Sequence, residues 1–248
     1  GRMLQVEAAL LALPLIVSFI YQESVSQKLA YAGTIAILLV VGLLLSFKKP
    51  EAMKIMARDG IVTVALSWIL LSFFGGLPFF FTGEIPNIVD AFFETASGLT
   101  TTGSSIMPDL SVLAHSSLFW RSFTHLVGGM GVLVFALAIL PSQGSDSVQL
   151  MRAEVPGPVF GKLVSKLAHT AQILYLIYLA MTAVLTIVLF VFQVPLFDAL
   201  LLSFGTAGTG GFGINNAGFS IYPNPAAVEW IIGVGMMLFG INFNLYYF

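Results

Sequence analysis

Cysteine is absent from this 248-residue chain, and Asp, Glu, Lys and Arg together make up only 9% of it, against about 25% in an average soluble domain. The first absence removes disulfides, thiolate metal sites and cysteine nucleophiles together. The second excludes the surface of an ordinary soluble enzyme. Ten Lys and Arg stand against twelve Asp and Glu, a net charge of −2, so no basic face exists for nucleic acid. The three histidines, His115, His125 and His169, fall in different loops or at different depths and make no metal-like cluster, so no chemistry is assigned to them. What is abundant is apolar: 58% of the chain.

A helix needs close to twenty apolar residues to cross a hydrocarbon core about 30 Å thick. Six stretches qualify: Met3 to Tyr21, Leu29 to Phe47, Gly60 to Phe81, Leu118 to Leu140, Ala168 to Val194, and Ala226 to the end. The chain opens and stops inside apolar runs, so a fragment is expected. With the N-terminus inside, Arg2, Lys48, Lys49, Lys54, Arg58, Arg152, Lys162 and Lys166 fall on the cytoplasmic side, and only Lys28 and Arg121 outside. That positive-inside bias puts both chain ends in the cytoplasm of a multi-pass protein of the cell membrane. The outer segments carry Glu23, Glu84, Asp90, Glu94, Asp109, Asp198 and Glu229. An acidic mouth of this kind concentrates cations.

Two segments between spans are too short and polar to cross. Ile88 to Gly98, helix-like with an acidic first turn, leads into Leu99-Thr100-Thr101-Thr102-Gly103. Leu196 to Gly205 leads into Thr206-Ala207-Gly208-Thr209-Gly210-Gly211-Phe212-Gly213. At an ungapped offset of 108, Asp90-Ala91 meets Asp198-Ala199, Thr101 meets Thr209, and Gly103 meets Gly211. A shift of one residue pairs Thr102-Gly103 with Thr209-Gly210 instead. Irregular backbone inside a membrane must sit against protein or line a water-filled cavity, so each unit predicts a re-entrant pore loop. The half-helix turns its partially negative C-terminal end toward the membrane centre, and the loop offers carbonyl oxygens to a cation. Gly208 to Gly213 also spells G-x-G-x-x-G, but a dinucleotide site requires a strand before it and a soluble βαβ unit around it.

Glu94-Thr95-Ala96-Ser97-Gly98-Leu99-Thr100-Thr101-Thr102-Gly103 resembles the first selectivity-filter segment of the Trk/Ktr/HKT superfamily of potassium transporters, closest to its bacterial TrkH branch. Trp120-Arg121-Ser122, Gly128-Gly129-Met130-Gly131-Val132 and Ala138-Ile139-Leu140-Pro141 resemble that branch's next helix. Thr209-Gly210-Gly211-Phe212 resembles its second filter, and Gly240-Ile241-Asn242-Phe243 its following span. The resemblance also takes in the two N-terminal helices and the Arg152-Ala153-Glu154 loop. It implies an all-α membrane protein: two peripheral helices over 1–56, then helix, pore-loop, helix repeats over 57–150 and 151–248. The third and fourth repeats of the family's single pore are missing from this sequence. It further implies potassium as the transported ion without a cofactor, homodimers of full-length chains, and a cytosolic nucleotide-binding regulatory subunit. The ion-binding residues carried over are Thr100, Thr101, Thr102, Gly103, Gly208, Thr209, Gly210 and Gly211. Phe212-Gly213 and Ala207-Gly208 depart from the family pattern and leave the register of the second loop open between Gly210 and Gly211.

Other residues have plainer roles beside sharper ones. Asp90 and Asp198 open the short helices, where N-capping competes with attraction of ions into the vestibule. Glu94 either bonds loop amides behind the filter or faces the vestibule. Arg121 is expected to anchor at the interface or to pair with an outer acid. Gly128, Gly129 and Gly131 suit close helix approach. Glu7, expensive in lipid, should face protein or the interface. The rival functions are a less selective sodium and potassium transporter and a membrane-embedded enzyme using outer Asp and His, although the acids gather at the mouth rather than facing one another inside the bilayer.

Overall fold

The computed structural model describes residues 1–47, 57–131 and 167–247. Its elements are α1 (Arg2–Ile20), α2 (Val25–Ser46), α3 (Ala57–Thr82), α4 (Ile88–Leu99), α5 (His115–Gly129), α6 (Leu167–Val191), α7 (Leu196–Ala207), α8 (Pro225–Phe239) and α9 (Asn244–Tyr247), with 3-10 turns at Leu110–Val112 and Gly218–Ile221. No strand occurs among the described residues. The basic stretches from Lys48 to Lys54 and from Arg152 to Lys166, and Ala138 to Pro141, lie outside the described residues.

Four helices among the described residues are long and apolar enough to cross a membrane: α1, α2, and the parts of α3 and α6 over Ile61–Thr82 and Gln172–Val191. They answer to the first, second, third and fifth apolar stretches. The fourth stretch is described only as far as Gly131, and within the described residues both it and the sixth are interrupted. Helices α5 and α8 have 15 residues each, about 22 Å at 1.5 Å per residue, short of the hydrocarbon core. After α5, Gly131 takes a φ of +72° and its N–H bonds back to the Gly128 carbonyl. After α8, the Gly240 and Ile241 amides close on Met236 and Leu238. A hydropathy run passes straight through such breaks, because Gly, Met and Ile keep its mean high.

Helix α4 packs on both α3 and α5, and α7 on both α6 and α8, so the two units share one arrangement. Helix α5 also packs on α7 and joins them, while α1 lies along α2 and touches α3 and α5. Close approach needs small residues: a Cβ on Gly76 of α3 would come within 2.8 Å of the Ala91 carbonyl oxygen in α4. Trp120, fully buried, donates through Nε1 to the Gly75 carbonyl at 2.8 Å, and the Tyr178 hydroxyl donates to the Leu126 carbonyl at 3.0 Å. Glu7 faces protein, as expected, buried beside Gly75 and lining a small cavity with Trp120.

The N-terminal end of α5 is held by acids from two other segments. Glu84 accepts from the Ala114 amide at 2.8 Å, the Ser117 hydroxyl at 2.5 Å and the Gln27 side-chain amide at 2.7 Å. Glu23 accepts from the Ser116 amide at 3.0 Å and its hydroxyl at 2.5 Å. Helix-start amides have no partner within the helix, and negative charge is favoured there. These bonds tie the α1–α2 turn and the α3–α4 connection to the helix that lies between the two loops.

Candidate functional site

The two half-helices are each 12 residues, Ile88–Leu99 and Leu196–Ala207, so they coincide at an offset of 108. The loops after them coincide bond for bond. In the first loop the amides of Thr100, Thr101, Thr102 and Gly103 bond to the carbonyls of Ala96, Gly98, Ser97 and Ser97. In the second, Gly208, Thr209, Gly210 and Gly211 bond to Phe204, Thr206, Gly205 and Gly205. The positive φ values agree too: Thr101 +55° and Thr209 +56°, then Gly103 +75° and Gly211 +73°. Gly211 is therefore the backbone counterpart of Gly103, and the one-residue shift is ruled out.

Each loop closes its helix with a paired bond pattern that places one residue in the left-handed region, a position usually given to glycine. Here both are threonines. A β-branched residue at positive φ is a genuine outlier, strained by about 1–2 kcal/mol, and such strain gathers at functional sites. Glycine is required two residues after Thr101, where a Cβ on Gly103 would overlap the Gly210 carbonyl oxygen, and one on Gly210, next to Thr209, would lie 3.0 Å from the Thr101 carbonyl oxygen. The loops thus run side by side, bringing Thr100 to Gly103 together with Gly208 to Gly211. Thr100, Thr102, Thr209 and Gly211 are exposed.

Helix α5 forms the wall behind both loops. A Cβ on Gly128 would overlap the Leu99 carbonyl oxygen, and one on Gly129 would lie 2.9 Å from the Gly208 Cα. These glycines serve close approach, as expected. One turn and two turns earlier on α5 stand His125 and Arg121. Arg121 is 3% exposed and Glu94 is 1% exposed, joined by Nε to Oε1 at 2.6 Å. Glu94 also accepts from the Ser105 hydroxyl at 2.9 Å and the Ile106 amide at 3.0 Å, on the rising limb of the first loop. Arg121 donates through Nη1 to the Gly213 carbonyl at 2.7 Å and lies 3.7 Å over the Phe212 ring, in the second loop. One buried ion pair therefore grips the far side of both loops.

Of the two roles expected of Arg121, the ion pair with an acid is the one present, because Glu94 offers a buried carboxylate that compensates its charge. Two other expectations change. Asp90 does not cap α4: Asn87 does, accepting from the Val89 amide at 3.0 Å, and Asp90 lies in the first turn. Asp198 does not cap α7, whose cap residue is Pro195; it accepts from the Tyr222 hydroxyl at 3.0 Å. That bond and burial push the Tyr222 phenol above its ordinary value, with burial the larger cause and the Asp198 charge next. Sequence reasoning missed His125, whose sole signal was its place four residues after Arg121 on one helical face.

Among the described residues no three His, Asp or Glu side chains gather as a metal site. Cation ligands in these loops would be carbonyl and hydroxyl oxygens, the hard donors suited to alkali metals.

Comparison with known proteins bears on the same residues. A family model described as "TrkH: Cation transport protein" matches residues 25–248. The chain is 38% identical over 239 residues to the Trk system potassium uptake protein TrkH of Salmonella typhimurium, covering 95% of this chain and 49% of that one. Against the TrkH of Vibrio parahaemolyticus it is 35% identical over 251 residues, covering 100% of this chain and 51% of the other. The crystal structure of the potassium transporter TrkH from Vibrio parahaemolyticus superposes with a TM-score of 0.81 at 30% identity, covering 100% of this chain and 49% of that one. The chain spans about half the length of the curated relatives it matches.

Proposed function

This chain belongs to the TrkH cation transport family, and we propose that it supplies two of the loops lining a potassium pathway through the cytoplasmic membrane. The observation that carries the reading is the bond-for-bond repetition of the loop after α4 in the loop after α7, down to paired left-handed threonines and glycines. The same turn closes α1 at Gln22 and α6 at Gln193; the two loops add to it a glycine at positive φ two residues later and a close approach of Gly103 to the Gly210 carbonyl. The names of the relatives, potassium uptake proteins, supply the ion.

In this reading potassium is cargo, and no covalent step or cofactor takes part. The ion sheds water as it meets the oxygens of Thr100 to Gly103 and Gly208 to Gly211, at the partially negative ends of α4 and α7. Asp90 and Asp198, in the first turns of those helices, and Glu229 give the outer vestibule its negative potential. Glu94 and Arg121 keep the loops from closing on the vacated site or widening around it. The repeats are taken as 57–150 and 151–248, beside peripheral helices in 1–56. Both ends of the chain lie on the cytoplasmic side, full-length chains pair as homodimers, and a nucleotide-binding regulatory subunit docks on the inner loops.

The test is rubidium uptake at limiting potassium in cells lacking their own uptake systems, with the full-length parent carrying Gly103→Ser. A side chain at that φ is strained and meets the Gly210 carbonyl. The expected result is uptake lost or opened to sodium. Uptake equal to the parent's at equal protein level would overturn the reading and leave Thr100 to Gly103 as helix packing.

A further inference from the structure

The two loops share a backbone but not their side chains. At the offset of 108, Thr100 and Thr102 in the first stand opposite Gly208 and Gly210 in the second. In the first loop the two hydroxyls bond to each other at 2.8 Å, and the Thr100 hydroxyl also donates to the Ala96 carbonyl at 2.7 Å. In the second loop no side chain stands at either position. The φ values do not require this, because neither Gly208 nor Gly210 has a positive φ. Space requires it, and one residue takes the space.

That residue is His125. A Cβ on Gly208 would come within 2.5 Å of the His125 carbonyl oxygen and 3.0 Å of its Cβ. A Cβ on Gly210 would fall inside the imidazole, overlapping both Nε2 and Cδ2. The ring is 0% exposed, and it meets Phe212 edge to face with centroids 4.1 Å apart. Phe212 is thus contacted by both His125 and the Arg121 guanidinium. Neither ring nitrogen has a hydrogen-bond partner among the described residues. A buried unpaired polar group is costly, and an aliphatic residue would avoid that cost. The flat, compact ring fills the slot at Gly210, while the backbone and Cβ of the same residue close the one at Gly208.

We propose that His125 is a specificity-positioning residue: its ring takes, from behind, the place of the side chain that Thr102 provides in the first loop, and so fixes how far Gly208 to Gly211 stand from the pathway. The proposal rests on the ion-pathway reading above. Shortening His125 should let the second loop fall back, and a wider site holds a larger hydrated or mixed population of ions. Removing the imidazole should lift most of the barrier to a side chain at 210, leaving the 3.0 Å approach to the Thr101 carbonyl oxygen.

The experiment uses the full-length parent in uptake-deficient cells and reads rubidium uptake and the sodium-to-rubidium uptake ratio at matched protein level. Three variants are compared: His125→Ala, Gly210→Ala and the pair together. Neighbours that share one space couple strongly, so Gly210→Ala is expected to cut rubidium uptake by about tenfold in the parent and by less than about threefold in the His125→Ala background. His125→Ala by itself is expected to raise the sodium-to-rubidium ratio, which a change in folding yield does not move. If His125→Ala fails to accumulate in the membrane, His125→Ser is read in the same way. Equal damage from Gly210→Ala in both backgrounds, or an unchanged ratio in the histidine variants, overturns the proposal. A parent without rubidium uptake, or one indifferent to Gly103→Ser, overturns the ion-pathway reading instead.

Discussion

Removing one partner of the Glu94–Arg121 pair should do more harm than removing both. Glu94 receives Arg121 Nε at 2.6 Å, the Ser105 hydroxyl at 2.9 Å and the Ile106 amide at 3.0 Å, while Arg121 also reaches Gly213 and Phe212. Stripping one member from a buried pair typically costs about 3–5 kcal/mol, because the other is left as an uncompensated charge. Against a total of about 5–15 kcal/mol, that is about a fifth or more of the stability. Replacing both with apolar residues of similar length removes the stranded charge and is often near neutral. Glu94→Met and Arg121→Met are therefore expected to show a coupling of about 2–3 kcal/mol in a double-mutant cycle. The assay is unfolding of the purified full-length protein in mixed micelles titrated with sodium dodecyl sulfate. The doubly substituted protein should regain stability and still lose rubidium selectivity, since nothing then ties Ser105 and Ile106 to Gly213. Additivity within about 0.5 kcal/mol would refute the buried-pair argument. Unchanged selectivity in the double variant would refute the claim that the pair positions the loops.

Gly128→Ala should push α5 off the Leu99 carbonyl and lower both thermal stability and rubidium uptake, whereas Gly33→Ala, with nothing within 4 Å of its new Cβ, should stabilise by about 0.5–1 kcal/mol; equal behaviour of the two in a melting experiment would contradict the packing. Burial outweighs the hydrogen bonds to Ala114, Ser117, Thr82 and Gln27 and raises the Glu84 carboxyl above 4.5. The folded protein then binds that proton more tightly than the unfolded chain, so the contribution is full below about pH 4.5 and is lost as pH rises through the raised value. Glu84→Gln should flatten that part of the melting-temperature profile. Glu23→Ala leaves the Ser116 amide at the start of α5 without its acceptor and should cost about 1 kcal/mol in the same melts.

Much of this was legible in the sequence because it depends on local rules. Half-length apolar segments with an acidic first turn, followed by Thr and Gly at a constant offset, sufficed to place α4, α7 and their loops. The apolar run from Leu118 to Leu140 hid the end of α5, since a glycine that turns to positive φ contributes as much hydropathy there as one inside a helix. Asp90 looked like a cap because it is acidic and early, yet Asn87, three residues before, has the extended backbone a cap needs. The Glu94–Arg121 pair spans 27 residues, and no periodicity links its members. The contact between His125 and Gly210 is further still beyond reach, because it consists of an excluded volume rather than a matching pair of groups. The glycine at 210, where the first loop has Thr102, is the trace that contact leaves in the sequence.

Thr101 and Thr209 set stability and use against each other. At φ of +55° and +56°, glycine would relieve strain of about 1–2 kcal/mol at each. A search for stabilising substitutions that scored the fold by itself would choose glycine at both places. It would then hand each loop the freedom to leave the shape that its neighbours enforce. Selection for abundance or heat resistance should therefore enrich Thr101→Gly and Thr209→Gly, and selection for ion discrimination should purge them. The ratio between those two enrichments would give the value of rigidity at each threonine in the units of growth itself.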